Sequence, residues 1–96
     1  MNNMTDNQVK TENLILIPIY NEQKYIFNVL REVRKYSKDN ILVINDGSTD
    51  ESKEIVEEIA SCAKLKGKLI IINHPVNEGY GQSLIDGINF AQNNTN

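Results

Sequence analysis

Three short apolar runs, each leading through a polar loop into a stretch of helical periodicity, constrain the fold of this chain more than any other feature. The runs are 14–17, 41–44 and 69–72, and they consist of Leu, Ile and Val alone. Uninterrupted runs of this length are typical of strands buried on both faces of a parallel sheet. Crossovers between parallel strands are right-handed and put helices on the sheet faces. We therefore predict an α/β domain of three-layer, Rossmann-like βαβαβα architecture with a parallel sheet.

Apolar residues spaced three and four apart predict the helices between and after these strands. The first helix is expected over 22–37, the second from the segment 48–51 to near Gly67, and the third after Gly81. Asn21 is a suitable N-cap for the first helix. The segment 48–51 has the Ser-x-x-Glu spacing of a capping box for the second.

Length and composition limit the chain to one soluble domain. Its 96 residues leave no room for a second domain, and we expect residues 1–12 to form a flexible N-terminal arm in front of a domain at 13–96. The formal charge of −3 and the scattered Lys and Arg residues argue against a nucleic-acid partner. Cys62 is the single cysteine, and its helical surroundings predict a small buried apolar residue that forms no internal disulfide.

No segment of the sequence has the character of a membrane span or an export signal. The longest apolar run is far shorter than the ~18 residues that cross a bilayer, and residues 1–13 contain no apolar core. A cytoplasmic location is therefore expected.

The polar residues gather in the three loops that lead from a strand into a helix. These loops are 18–22, 45–49 and 77–81, and in a parallel sheet they share the carboxyl edge, where open α/β sheets bind ligands. Asp46 could accept hydrogen bonds from a nucleobase ring N–H or from ribose hydroxyls. A turn-forming role beside Gly47 that helps to cap the second helix is the alternative.

Three further loop residues could either contact a ligand or have only a structural role. Tyr20 could lie against a base or be an ordinary half-buried aromatic residue. Gly79 and Gly81 permit a positive φ and close backbone approach, or simply form a flexible turn. Their spacing does not match the dinucleotide-binding fingerprint, because position 84 is Leu.

A non-catalytic, flavodoxin-like docking or assembly module is the competing class of protein. A receiver domain would need an acidic pair after the first strand and a phosphorylatable aspartate after the third. The chain has Tyr20-Asn21 and Asn73-His74 at those places, which argues against a receiver domain. The sequence also contains no Walker loop, no paired cysteines and no histidine cluster, so it predicts neither an ATPase nor a structural zinc site.

Taken together, the three loops resemble glycosyltransferase family 2, the inverting nucleotide-sugar transferases of GT-A fold. Ile-Pro-Ile-Tyr-Asn-Glu at 17–22 is similar to the family's first-strand signature, and Val-Ile-Asn-Asp-Gly-Ser-Thr-Asp at 43–50 is similar to its Asp-Asp-Gly-Ser-x-Asp stretch. Asn-x-Gly-Tyr-Gly-x-Ser-Leu at 77–84 is similar to the segment that enters the third helix. The Gly-Tyr-Gly form is most similar to the branch that transfers sugars to polyprenyl phosphates.

The resemblance implies a nucleotide-binding set on these loops and assigns no catalytic residue to this chain. Its members are Pro18, Tyr20, Glu22, Asp46, Gly79 and Gly81. The first three would line the nucleotide pocket, Asp46 would contact the base, and the two glycines would shape the loop beneath the ribose and phosphates. Asn45 stands where the family usually has the first aspartate of its pair, and Gln82 stands where many relatives have a basic or small residue.

The resemblance also implies parts that this sequence lacks. In the family, Mg²⁺ or Mn²⁺ is held by an Asp-x-Asp after a fourth strand, and a later carboxylate acts as base; the chain contains neither. We therefore expect 13–96 to be the amino-terminal, nucleotide-binding half of an incomplete GT-A domain, inactive alone. The complete enzyme would move a sugar from a UDP- or GDP-sugar to a polyprenyl phosphate or a glycan. Without a fourth strand, the free edge of the first strand is expected to cause self-association.

Overall fold

The computed structural model describes residues 13–62 and 68–94. Six elements follow one another in the predicted βαβαβα order. They are β1 Leu14–Ile19, α1 Ile26–Tyr36, β2 Asn40–Asp46, α2 Ser52–Ala60, β3 Leu69–His74 and α3 Tyr80–Asn94. The N-terminal arm predicted for 1–12 lies outside the described residues. The prediction that the second helix continues to near Gly67 is wrong, because α2 ends at Ala60.

The three strands form one parallel sheet in the order β1-β2-β3, which confirms the predicted fold class. Leu14 pairs with Asn40 at the start of the β1–β2 ladder, and Ile41 pairs with Leu69 in the β2–β3 ladder. The prediction that every strand is fully buried holds for β2 alone, since β1 and β3 are mostly half-buried. Each outer strand has a neighbour on one side only within the described part of the chain.

Helices cover both faces of the sheet, as the three-layer prediction requires. α1 and α2 pack together on one face, where Ile41 and Val43 join the main apolar cluster. Leu42 and Ile44 alternate with them and are also fully buried, so they face α3 on the other side. At Gly87 of α3 an added Cβ would lie 2.6 Å from a methyl carbon of Leu16, so α3 lies directly against β1.

The structure differs from the sequence prediction at Cys62. Cys62 is exposed, not buried, because α2 ends at Ala60 and Cys62 lies beyond the packed face of that helix.

Within 13–62 and 68–94, no helix combines the length and apolarity needed to cross a bilayer.

The outer edge of β1 forms no ladder with any strand in the described ranges. Unpaired strand edges present free N–H and C=O groups to other chains, so self-association through this edge remains our prediction. Size-exclusion chromatography over a concentration series should show the apparent mass rising with concentration. A concentration-independent monomer for the parent chain would contradict the prediction.

Candidate functional site

A cleft of about 440 Å³ lies at the carboxyl edge of the sheet, between the ends of β1 and β2 and the start of α3. Its lining residues are Pro18, Ile19, Tyr20, Glu22, Asp46, Asn77, Gly79, Tyr80 and Ser83. The structure thus brings five of the six sequence-predicted site residues to one cleft. Gly81 is not among the lining residues, because it is exposed in the first turn of α3. Nucleotide binding by this set remains a prediction.

The loop after β1 is tied to the loop after β2 by reciprocal hydrogen bonds. The backbone N–H groups of 21–23 donate to Ser48 Oγ (3.0 Å), Ser52 Oγ (2.8 Å) and Asp50 Oδ2 (3.1 Å) in turn. In return, the backbone N–H of Glu51 donates to Gln23 Oε1 at 2.8 Å. These bonds fix the two loops that carry the cleft residues.

Asn21 is central to this loop–loop connection. Its Oδ1 accepts the backbone N–H of Thr49 at 2.8 Å and that of Asp50 at 3.3 Å. The prediction that Asn21 caps α1 is therefore wrong: α1 begins at Ile26, and its N-cap Tyr25 makes no side-chain bond. Asn21 has a φ of 54°, a left-handed conformation that asparagine tolerates better than most residues.

The predicted capping box at 48–51 is also absent from the start of α2. The Ser48 hydroxyl accepts the Asn21 N–H instead, and α2 begins later, at Ser52, with no side-chain bond from its N-cap Glu51. Asp50 accepts the Ser52 N–H at 2.8 Å through Oδ1. Burial alone would raise the pKa of Asp50, but its hydrogen bonds from Ser52 and Gln23 outweigh burial and lower it.

Asp46 is buried at the end of β2, with 4% of its surface exposed. Oδ1 accepts the Glu78 N–H at 2.7 Å and a bond from His74 Nδ1 at 2.8 Å, while Oδ2 accepts the Gly79 N–H at 2.9 Å. Burial would raise the pKa of Asp46, but these three donors outweigh it and lower the pKa below its ordinary 3.8. Asp46 is therefore an ionised carboxylate that organises the β3–α3 loop, and none of these bonds caps α2.

His74 connects Asp46 to α3. Its ring is buried, and Nε2 lies 2.6 Å from Oδ2 of Asp86, whose Oδ1 accepts a bond from Gln82 Nε2 at 2.8 Å. The bond to Asp46 raises the pKa of His74 most; burial opposes it, and Asp86 and Glu78 raise it further. The pKa of Asp86 is lowered, first by Gln82 and then by His74. Both ring nitrogens of His74 lie against carboxylate oxygens, which only accept hydrogen bonds when ionised, so this geometry suits a doubly protonated ring.

Sequence reasoning missed four residues of this region: His74, Asp86, Tyr80 and Ser83. The sequence did contain an indication for His74, because it follows an apolar run just as Asp46 does. The structure pairs these two residues across the β2–β3 ladder. Ser83 is almost fully buried, its Oγ has no hydrogen-bond partner in the described part of the chain, and it lines the cleft.

His74, Glu78 and Asp86 place potential ligand atoms within 4.8 Å of one another, close enough for a shared metal ion. The arrangement does not fit the Mg²⁺ or Mn²⁺ that the family resemblance implies. Both ring nitrogens of His74 already face carboxylate oxygens at 2.6–2.8 Å, and a doubly protonated imidazole has no lone pair for a metal. This cluster is a hydrogen-bonded chain, not a metal centre.

The shifted pKa values predict how stability depends on pH. Folding raises the pKa of His74 above 6.5, so the protonated ring stabilises the folded chain. This stabilisation is complete below pH 6.5 and is lost as the pH rises through the pKa that His74 has in the folded chain. Folding lowers the pKa values of Asp46 and Asp86, so their ionised carboxylates stabilise the folded chain above pH 3.8. This stabilisation is lost as the pH falls through the lowered pKa values. Urea unfolding at several pH values should therefore show greatest stability between 3.8 and 6.5.

A His74→Asn variant is the control for this pH dependence, since it removes the titrating ring. Its unfolding free energy should not show the decline above pH 6.5 that the parent shows. A parent chain that becomes more stable between pH 6.5 and 9 would contradict the ionic state assigned to His74.

The fold and the cleft define an α/β domain of the class that binds ligands where parallel strands end. Comparison with known sequences makes this more specific, because the sequence profile of glycosyl transferase family 2 matches residues 14–95. The chain belongs to glycosyl transferase family 2.

Several curated proteins that the chain resembles are named as sugar transferases. A UDP-N-acetylglucosamine–dolichyl-phosphate N-acetylglucosaminyltransferase of Methanococcus voltae is 34% identical over 86 residues, covering 80% of this chain and 34% of the relative. A dolichyl-phosphate beta-glucosyltransferase of Trichomonas vaginalis is 32% identical, covering 76% and 25%. A poly-beta-1,6-N-acetyl-D-glucosamine synthase of Staphylococcus aureus is 35% identical, covering 79% and 18%.

The chain spans about a third or less of the length of these curated relatives. No solved structure matches it significantly.

Proposed function

We propose that this chain is the donor-binding part of an inverting glycosyltransferase and that its cleft takes the nucleotide of a UDP- or GDP-linked sugar. The acceptor would be a polyprenyl phosphate or a glycan. Relatives that act on dolichyl phosphate or make a polysaccharide support this range of acceptors.

The observation that carries the proposal is an ionised, buried carboxylate that lines a cleft beside exposed aromatic rings. Asp46 offers an acceptor for a base N–H or a ribose hydroxyl. Tyr20 and Tyr80 line the same cleft and are 45% and 68% exposed, so their rings are available for stacking on a base. The first turn of α3 adds the positive end of a helix dipole, which favours phosphate groups.

The residues of this chain bind and orient the donor in our proposal, and none is given a bond-making step. Mg²⁺ or Mn²⁺ would be required by the complete enzyme to neutralise the departing diphosphate. The sequence contains no Asp-x-Asp pair, and the cluster around His74 does not fit a metal. We therefore assign neither the metal nor the base to these residues.

Calorimetric titration with UDP-N-acetylglucosamine and GDP-mannose tests the proposal. We expect at least one donor to bind with a Kd on the order of 0.1–1 mM, equivalent to roughly 4–5.5 kcal/mol. Asp46→Asn, which keeps the side-chain shape but loses the charge, should weaken binding about tenfold or more.

Asp39→Asn is the matched control, because it makes the same chemical change at the opposite edge of the sheet, just before β2. It should bind like the parent. Equal affinity of the parent and Asp46→Asn would leave Asp46 a purely structural residue and remove the basis of the proposal.

A further inference from the structure

The hydrogen bonds of Asp46 limit what it can still accept. An ionised carboxylate has about four lone-pair positions, two on each oxygen. Oδ1 already accepts two bonds, from His74 Nδ1 and the Glu78 N–H, whereas Oδ2 accepts one, from the Gly79 N–H. One acceptor position therefore remains, and it is on Oδ2.

The bond from His74 cannot readily turn away to free a second position. The ring has no room to exchange its partners for water, because only 7% of the His74 side chain is exposed. Its other nitrogen is held by Asp86, which is itself held by Gln82. The resulting chain of bonds runs from the first turns of α3 to the end of β2.

The charged groups around the ring all favour the proton that this bond needs. Asp46 faces it from β2, Asp86 from α3, and Glu78 from the loop, with Oε1 4.0 Å from Nδ1. The ring thus lies among three carboxyl groups, and Nδ1, which is 2.8 Å from Oδ1 of Asp46, carries the N–H that donates to it.

A single acceptor position distinguishes between classes of nucleobase. Guanine presents two adjacent donors, the N1–H and the N2 amino group, which a carboxylate pairs only by using both of its oxygens. Uracil presents one N–H between two carbonyl oxygens, so one acceptor satisfies it.

We propose that His74, held by Asp86, is a specificity-determining positioning residue: by occupying Oδ1 of Asp46, it makes the cleft select bases with one N–H donor, as in uracil, over guanine. This inference rests on the proposed function, since it takes the base to lie at Asp46. A guanine bound there leaves one buried donor unpaired, and unpaired polar groups are what sites of this kind reject most strongly.

The first test uses the unaltered chain and a set of nucleoside diphosphates. UDP should bind about tenfold or more tightly than GDP by calorimetry. Inosine diphosphate has the same ring size as GDP but lacks the N2 amino group, so it should bind at least as well as GDP. GDP binding as tightly as UDP, or about tenfold more tightly than inosine diphosphate, would overturn the inference.

The second test changes the residue. In His74→Leu, Oδ1 gains a free position, so the UDP:GDP ratio should fall to within about threefold and GDP should gain relative to inosine diphosphate. His74→Asn places an amide N–H where Nδ1–H lies and should restore the parental ratio. A merely structural role for His74 would weaken all three ligands together and leave the ratios unchanged, which would also overturn the inference.

Asp86→Asn separates charge from hydrogen bonding, because it still orients the ring while removing one carboxylate. It should keep the parental UDP:GDP ratio.

The two proposals fail in different ways: if no nucleotide binds the parent chain, the proposed function is overturned. If UDP binds and depends on Asp46 but selectivity is the same in His74→Leu, only the specificity role is overturned.

Discussion

Gly47→Ala is expected to destabilise the chain by about 4 kcal/mol or more, a large part of the roughly 5–15 kcal/mol by which a folded domain is stable. Gly47 has a φ of +72°, and a Cβ there would lie 2.3 Å from the carbonyl carbon of Val76 and 2.4 Å from the Asn77 nitrogen. The left-handed backbone alone costs about 1–2 kcal/mol for alanine. The overlap adds to this, because only movement of the loop that leads to Gly79 can relieve it. Urea unfolding followed by far-UV circular dichroism measures the loss.

Two other glycines of the site provide graded controls for Gly47. Gly79 has a φ of +98° but no atom near an added Cβ, so Gly79→Ala should cost only conformational strain, about 1–3 kcal/mol. Gly81 lies in the first turn of α3 with open space around it. Gly81→Ala should be neutral or stabilising by up to about 1 kcal/mol. If Gly47→Ala were as stable as Gly81→Ala, the close packing of the β3–α3 loop on β2 would be refuted.

Asn21→Ala is expected to have the next largest effect, a loss of about 3–4 kcal/mol. Two backbone N–H groups, those of Thr49 and Asp50, lose their acceptor, at about 1 kcal/mol each. Alanine also tolerates the φ of 54° poorly, which adds about 1–2 kcal/mol. Thermal and urea unfolding of the variant measure the sum.

Two further substitutions at Asn21 divide this sum into its parts. Asn21→Gly keeps the backbone conformation but removes the acceptor, so it should lie between the parent chain and Asn21→Ala. Asn21→Asp keeps an acceptor oxygen and should be the mildest change. Parental stability of Asn21→Ala would mean that the bonds between the two loops contribute nothing to folding.

The motif of the first loop contains two kinds of residue, some that line the cleft and one that joins the loops together. Pro18, Tyr20 and Glu22 line the cleft, whereas Asn21 turns to the loop after β2. In the second loop, Asp46 lines the cleft and Ser48 joins the loops together. The ligand-facing residues are thus supported by neighbours in the same short motifs.

The strands and the position of the cleft could be predicted from the sequence, because they depend on local pattern and topology. Three short apolar runs bounded by polar loops predict strands, and parallel pairing then brings their following loops to one edge. That is why Tyr20, Asp46 and Gly79 line one cleft, as the sequence implied.

The helix starts and the partners of Asp46 could not be predicted in the same way. Asn21 and Ser48 have the composition of helix caps, yet each bonds across the loops, to a residue 27 or 28 positions away. Likewise, the role of His74 depends on the register of β2 with β3 and on where Asp86 falls in α3. Local propensity contains no information about such distant partners.

The proposed nucleotide site lies at the carboxyl edge of this sheet. Amide resonances of the ¹⁵N-labelled chain, followed during titration with UDP to about 10 mM, roughly ten times the weakest expected Kd, test it most directly. We predict that the largest shifts will occur at Tyr20, Gly79 and Ser83, around the cleft, with none at Asn40 or Lys68 on the opposite edge. Shifts confined to that opposite edge, or no shifts at the cleft at the end of the titration, would contradict the claim.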